Sequence, residues 1–389
     1  IETFSKRVII WIFNVFFIIS GLLIIKYRKE ISFISYKNIL LAIFSIIVSL
    51  LICEYLFRLF YHEVSPVDQL FEKHEYFHPK PYVMFGGQPH SGNLNIYGYK
   101  GNAPSKIKAK DEFRIFMLGG STLFAGDPTI CELLEQEFGK SDLSHVRCYN
   151  YGMPASTSSM ELARIVYEIS DLYPDLIIMY NGGNDILINL WADPRPGYPY
   201  NYFIYENNPL LVREVSSYPM LALMAYESKL LRYLFPGYFI NKFTRFNEIK
   251  KQVHYGSDLW KNNIARIYVG NVVKAQKISK VFGADFIAFF QPLIYFKDSL
   301  SDEEQIINQI KGLGDHVIEM HSKVLNEFSL LKPNTDLKII DLNYVYDKTF
   351  TRVFKDEIHT QQQYKPIVAQ EIFQYLVKEY GIKKFEMIQ

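Results

Sequence analysis

Four short strings in this 389-residue chain carry groups that together can do acyl-transfer chemistry. Gly119-Gly120-Ser121-Thr122 sets a hydroxyl directly after two glycines, whose backbone freedom permits a sharp turn. Asn150-Tyr151-Gly152-Met153-Pro154-Ala155-Ser156 offers backbone N–H groups of the kind that stabilise a developing oxyanion. Asn181-Gly182-Gly183-Asn184-Asp185 can aim the Asn184 amide at the same oxygen. Asp356-Glu357-Ile358-His359 places a carboxylate and an imidazole three residues apart, close enough to share one side of a turn. An imidazole there can take a serine proton, while the carboxylate fixes its tautomer and stabilises the imidazolium. Taken singly, each string also describes an ordinary turn or a solvated loop. The G-x-S-x-G elbow of the α/β-hydrolases is absent, because position 123 is Leu.

The elements that must position these strings follow from hydrophobic patterning. Short apolar runs predict strands at Phe113–Leu118, Val146–Asn150, Asp175–Tyr180, Asp285–Phe290 and Leu337–Leu342. Helices are expected at Thr129–Phe138, Ser158–Leu172, Asp258–Val281, Asp302–Phe328 and Pro366–Tyr380. Continuous apolar strands alternating with amphipathic helices predict an α/β fold whose parallel sheet is covered on both faces. In such sheets chemistry gathers beyond the carboxyl ends of the strands. The first three strings directly follow predicted strands, and the fourth precedes the last helix.

That order and placement resemble the SGNH (GDSL-type) hydrolase superfamily over roughly residues 85–380. The resemblance implies a flavodoxin-like three-layer sandwich on a five-stranded parallel sheet. It implies Ser121 as nucleophile, His359 as base and Asp356 as the orienting acid. The oxyanion donors it implies are the Ser121 N–H, a second-block N–H and the Asn184 side chain. Two departures stand out. The second block carries Ala155 where the family usually has glycine, which leaves its donor open between Ala155, the preferred one, and Gly152. The first block reads GGST rather than the GDS form. The lead-in Asn95-Ile96-Tyr97-Gly98-Tyr99-Lys100-Gly101 looks like that of bacterial membrane-anchored, cell-envelope members.

Two apolar stretches, Val8–Ile25 and Ile39–Phe57, are each about as long as a bilayer-spanning helix requires. The domains expected are a membrane anchor at 1–60 with two transmembrane helices, a collar or linker at 61–110, and a catalytic domain at 111–385 with an insertion at about 189–257. The connector carries Lys26, Arg28, Lys29 and Lys37, against Lys6, Arg7 and Arg58 on the outer flanks. The positive-inside rule then predicts a bacterial inner or plasma membrane protein with a periplasmic or extracellular catalytic domain. The chain starts at Ile1 rather than Met, which leaves room for residues upstream.

Charge is balanced, 42 basic against 41 acidic residues, which argues against a nucleic-acid partner. Cys53 sits in an apolar run; Cys131 and Cys148 can pair in an oxidising compartment, but their spacing does not decide it. His316 and His321 are five apart, and His74 and His78 lie where no helical period is evident, so no metal and no cofactor are expected. The insertion is rich in Tyr, with Trp191, and its rings can stack on sugars; its apolar stretch Leu221–Ile240 can instead rest on the bilayer. The partners expected are an acylated glycan or another ester, and membrane lipid. The function expected is a serine esterase or O-acyltransferase that removes or transfers acetyl groups on an envelope glycan. The competing functions are a membrane-associated lipase or thioesterase and a catalytically idle glycan-binding scaffold.

Overall fold

The computed structural model describes residues 26, 36–61, 76–200, 202–206, 227–237, 245–309, 312–331 and 336–382. The predicted membrane segment Val8–Ile25, with Lys6, Arg7, Arg28, Lys29 and His74, lies outside them, as do 221–226 and 238–240 of Leu221–Ile240.

Each of the five predicted apolar runs forms a strand: β3 (Phe113–Gly119), β4 (Val146–Gly152), β5 (Leu176–Asn181), β6 (Asp285–Phe290) and β7 (Ile339–Asp341). All pair in parallel, in the order β4-β3-β5-β6-β7. Numbered by their own succession this is 2-1-3-4-5, the flavodoxin-like order, whose switch point lies at β3. The strands read as unbroken apolar runs because both faces are covered. Phe116 and Leu118 of β3 pack with Ile177 and Met179 of β5 into one core, and Ile115 and Met117 pack with Leu176 and Ile178 into the other.

The helices follow their sequence signals. The one-turn α1 (Ser121–Phe124) follows β3, and α2 (Ile130–Lys140) opens on a capping box between Thr129 and Glu132. Helix α3 (Ser158–Arg164) runs on through a π turn at Ile165–Ile169. Helix α4 is Gly183–Trp191, and α5 (Asp258–Val281) is capped by Ser257. The helix expected over Asp302–Phe328 is broken. A short helix, Asp302–Asn308, has its own capping box at Ser301 and Glu304, and α6 (Leu313–Leu331) starts after Gly312, whose φ of +79° does not continue a helix. Helix α7 (Lys365–Tyr375) completes the fold with Pro366 in its first turn. Helices α3, α5 and α6 contribute to the first core, α2 and α7 to the second.

The chain divides into two compact units, 73–203 with 246–389, and 1–72 with 204–245. The first holds the sheet. It also takes in residues 76–110, where strands β1 (His78–Lys80) and β2 (Met84–Gly86) form a hairpin and Phe85, Leu94 and Tyr99 are buried. Of the predicted insertion, 189–203 and 246–257 belong to the sheet unit and 204–245 to the other.

In the other unit the helix Tyr36–Phe60 contains Ile39–Phe60, with mean hydropathy 2.6. It is long and apolar enough to cross a membrane, the one such helix among the described residues. Glu54 near its end accepts hydrogen bonds from Ser228 Oγ (2.8 Å) and from the backbone N–H groups of Lys229 (2.8 Å) and Leu230 (3.1 Å). It thereby satisfies the first turn of the helix Lys229–Leu234. Cys53 is exposed on the apolar helix.

Cys131 of α2 and Cys148 of the edge strand β4 are disulfide-bonded across 17 residues of sequence, with Cα atoms 5.6 Å apart. A loop of that size removes on the order of 3 kcal/mol of chain entropy from the unfolded state. The double variant Cys131→Ala/Cys148→Ala should therefore lose about 3 kcal/mol of stability, read from the midpoint and slope of denaturant unfolding in detergent; a change under about 1 kcal/mol would contradict this role.

Candidate active site

The turn that carries Ser121 depends on missing side chains. A Cβ on Gly119 would lie 2.4 Å from the Tyr180 carbonyl oxygen of the neighbouring strand. One on Gly120 would lie 2.4 Å from Asn184 Nδ2. Both distances are shorter than van der Waals contact allows. The glycine pair therefore serves close approach: β3 ends flush against β5, and the Asn184 amide lies over the turn that presents Ser121.

Ser121 Oγ lies 2.6 Å from His359 Nε2, across 238 residues of sequence. His359 Nδ1 is 2.7 Å from Asp356 Oδ2 and 3.0 Å from Oδ1. An ionised carboxylate can only accept, so Nδ1 carries the ring proton and Nε2 is left to accept from the serine hydroxyl. Asp356 Oδ1 also accepts from the backbone N–H groups of Ile358 (3.0 Å) and His359 (2.8 Å). Burial raises the Asp356 pKa, but the His359 ring and these N–H groups outweigh it and hold the carboxyl below its ordinary range. The loop is closed by Lys355 N–H donating to the His359 carbonyl (2.7 Å), and Ile294 N–H donates to the Glu357 carbonyl (3.1 Å), tying it to the chain after β6. The site is open: the side chains of His359 and Asp356 are 35% and 45% exposed.

The second block runs beside this turn, with Met153 N–H donating to the Gly119 carbonyl (3.0 Å). Its two candidate donors differ. Gly152 N–H is taken by Asn150 Oδ1 at 2.9 Å, and a Cβ there would meet Phe124 N at 2.9 Å, so this glycine serves packing against α1. Ala155 N–H meets no acceptor among the described residues, and neither does Ser121 N–H. Ala155 has φ +56°, the left-handed region that favours glycine, so the glycine-like backbone persists with a Cβ upon it. Asn184 Nδ2 donates one hydrogen to the Ser156 carbonyl (2.7 Å), leaving its second for another acceptor.

Three other described histidines stand elsewhere. His316 is buried with Nε2 3.1 Å from the Ile186 carbonyl, His321 pairs with Asp341 at 2.8 Å, and His78 lies in β1. Among the described residues no three His, Cys, Asp or Glu side chains gather as metal ligands.

No family model matches the chain, and no curated protein matches it. Solved structures do. An acetyl xylan esterase is similar at 10% identity and a TM-score of 0.39, over 68% of this chain and 100% of its own. A lipase/acylhydrolase from Enterococcus faecalis is similar at 14% identity and a TM-score of 0.39, over 70% and 99%. A putative acylhydrolase from Bacteroides fragilis is similar at 15% identity and a TM-score of 0.36, over 70% and 89%. At these values the likenesses decide neither family nor activity.

Behind the second block lies a buried polar network that the strings do not announce. Asp185, next to Asn184, accepts from the Ser158 backbone N–H (3.1 Å) and Oγ (2.6 Å). Arg164 Nη1 donates to Ser156 Oγ (2.6 Å). Asn181 Nδ2 donates to Glu161 Oε2 (2.5 Å), and Tyr268 Oη to Asn181 Oδ1 (2.9 Å). In sequence, Glu161 reads only as a first-turn helix acid.

Burial and the neighbouring Asp185 push the Glu161 carboxyl up to about 8, against the pull of Asn181 and Arg164; burial alone lifts Asp185 to about 6 despite its bonds to Ser158. Because the folded-state value of Glu161 exceeds its ordinary 4.5, its contribution to stability is whole below that pH and is lost as pH rises toward about 8. Glu161→Gln keeps the acceptor for Asn181 but cannot ionise. Its melting temperature relative to wild type should rise steadily between about pH 5 and about pH 8; parallel profiles for the two chains would refute a buried, protonated Glu161.

Proposed function

We propose that this chain is an SGNH-type serine acyl-ester hydrolase or O-acyltransferase, anchored in a membrane, that acts on ester-linked acyl groups, acetyl foremost, of a cell-envelope glycan. The observation that carries it is the relay from Ser121 Oγ to His359 Nε2 at 2.6 Å and from His359 Nδ1 to Asp356 at 2.7 Å.

In this reading His359 Nε2 takes the hydroxyl proton as Ser121 Oγ bonds to the ester carbonyl carbon. Charge moves onto the carbonyl oxygen, where the Ser121 N–H, the Ala155 N–H and the free hydrogen of Asn184 Nδ2 receive it. The C–O bond of the ester breaks, and the leaving alkoxide collects the proton from His359. The acyl-enzyme that remains is attacked by water or by a sugar hydroxyl, again with His359 removing the proton; the bond from the acyl carbon to Ser121 Oγ then breaks and His359 returns that proton to Oγ. Asp356 stays ionised throughout and stabilises each imidazolium.

Four observations support the substrate and setting. The exposed His359 and Asp356 suit an acyl group carried on a bulky chain rather than a small molecule drawn into a closed cavity. Trp191, Tyr198 and Tyr202 are 52%, 40% and 36% exposed, and the Arg195 guanidinium sits 4.0 Å over the Tyr198 ring, a surface on which sugars can stack. The Cys131–Cys148 bond suits an oxidising compartment, outside the cytoplasm, and the apolar helix Ile39–Phe60 suits a membrane anchor.

The test uses the full chain in detergent with a fluorophosphonate probe. Wild type should label at Ser121. Ser121→Ala should not label, and His359→Ala and Asp356→Asn should label slower by on the order of 10³- to 10⁴-fold. Equal labelling of all four would end the assignment. On p-nitrophenyl esters the acetyl ester should outpace the palmitoyl ester; the reverse order would point to a lipase.

Asn184→Ala should lower kcat by on the order of 10²- to 10³-fold with KM little changed, since the amide acts on the transition state. A rise in KM alone would place Asn184 in substrate binding instead.

A further inference from the structure

We propose that Lys365 is a positioning residue for the nucleophile: its ammonium closes the carboxyl end of the one-turn helix that presents Ser121 and locks that turn to the segment bearing His359. This rests on the serine-hydrolase reading above.

Helix α1 is four residues long, too short to satisfy its own carbonyls. Lys365 Nζ supplies what is missing, donating to the Thr122 carbonyl (2.8 Å) and the Ala125 carbonyl (2.6 Å). Lys365 is 4% exposed, and among the described residues no carboxylate meets its ammonium. A cation buried against carbonyls alone is costly, so the position demands a return beyond packing. Placed at the carboxyl end of α1, it also complements the polarity of a turn whose first N–H is that of Ser121.

The same short segment touches the nucleophile turn at two further points. His359 reaches Ser121 Oγ, and Gln362 Nε2 donates to the Pro128 carbonyl (2.7 Å) while its Oε1 accepts from Asp127 N–H (3.4 Å). Residues 359–365 therefore carry the base at one end and the clamp on the nucleophile at the other. Without the clamp, two carbonyls lose their donor, α1 slackens, and the distance between Ser121 and His359 is no longer enforced.

The charged groups that face Lys365 are Lys100 and Lys355, both cationic. Burial, then these two charges, lower its ammonium to about 8. The clamp weakens as pH rises through that value, because a neutral amine is the poorer donor to a carbonyl.

The test measures kcat, KM and fluorophosphonate labelling of the full chain in detergent from about pH 6 to about pH 10, on p-nitrophenyl acetate. Wild type should lose kcat above about pH 8. Lys365→Met should label and turn over about 100-fold slower with KM little changed, the scale of a small misplacement of a reacting group. Lys365→Cys, in a Cys53→Ser background, should regain activity when aminoethylated to thialysine in urea, where the buried position is open to the reagent, and then refolded into detergent. Its alkaline limb should then lie lower than that of wild type, because the thioether makes the ammonium more acidic. Wild-type kcat in Lys365→Met, or a thialysine chain whose alkaline limb does not move, overturns the proposal. If Lys365→Met shows no melting transition, the thialysine chain alone decides by the same shift. Failure of wild type to label removes the hydrolase reading and this proposal together; labelling of wild type with an equally reactive Lys365→Met removes only the role of Lys365.

Discussion

The site depends on an absence of atoms at the carboxyl edge of the sheet. Chain segments crowd there so closely that Cβ atoms on Gly119, Gly120 and Gly152 would lie 2.4, 2.4 and 2.9 Å from the Tyr180 oxygen of β5, Asn184 Nδ2 of α4 and Phe124 N of α1. Only that approach lets the second block hydrogen-bond to Gly119 and the Asn184 amide overlie the serine turn. The parallel register does the remainder, since Gly119 lies level with Gly152 on one side and with Tyr180 on the other. Three strand ends bring Ser121, the second block and Asn184 together, and the loop between β7 and α7 adds Asp356 and His359.

Much of this can be read from the chain before any coordinates. Strands buried on both faces must be apolar throughout, so all five were visible as runs, and the helix read over Asp258–Val281 has those bounds in the structure, where Ser257 caps it. The Asp302–Phe328 helix was over-read because its apolar periodicity does not register that one helix stops at Asn308 and a second starts after Gly312, whose backbone is left-handed. Ala155 shows both the strength and the limit of pattern. The string locates the turn, but only φ +56° shows that the glycine-type conformation is kept although the glycine is gone.

What stayed illegible depends on distance through space. Lys365 touches carbonyls more than 200 positions away in the chain, and nothing in its neighbours signals that. Asp185 closes the third string, yet its partner Ser158 lies outside all four, at the start of α3. Glu54 is similar: in sequence it only interrupts an apolar run, whereas in the fold it supplies the acceptors that a short helix from residues 229–234 lacks. The Cys131–Cys148 bond could not be decided from spacing, because it depends on where α2 lies against β4.

The long sequence interval between Ser121 and His359 bears on how the molecule is made. Synthesis runs from the amino end, so the serine turn and its amide neighbours exist long before residues 350–365 leave the ribosome. Until that last stretch docks against β6 and α1, the hydroxyl has no base beside it and behaves as any alcohol in water. On the proposed chemistry, a nascent or truncated chain is harmless to the esters around it, and competence arrives in one step with completion of the carboxyl-terminal layer. On that chemistry, completion of the fold is itself the step that switches the hydroxyl on.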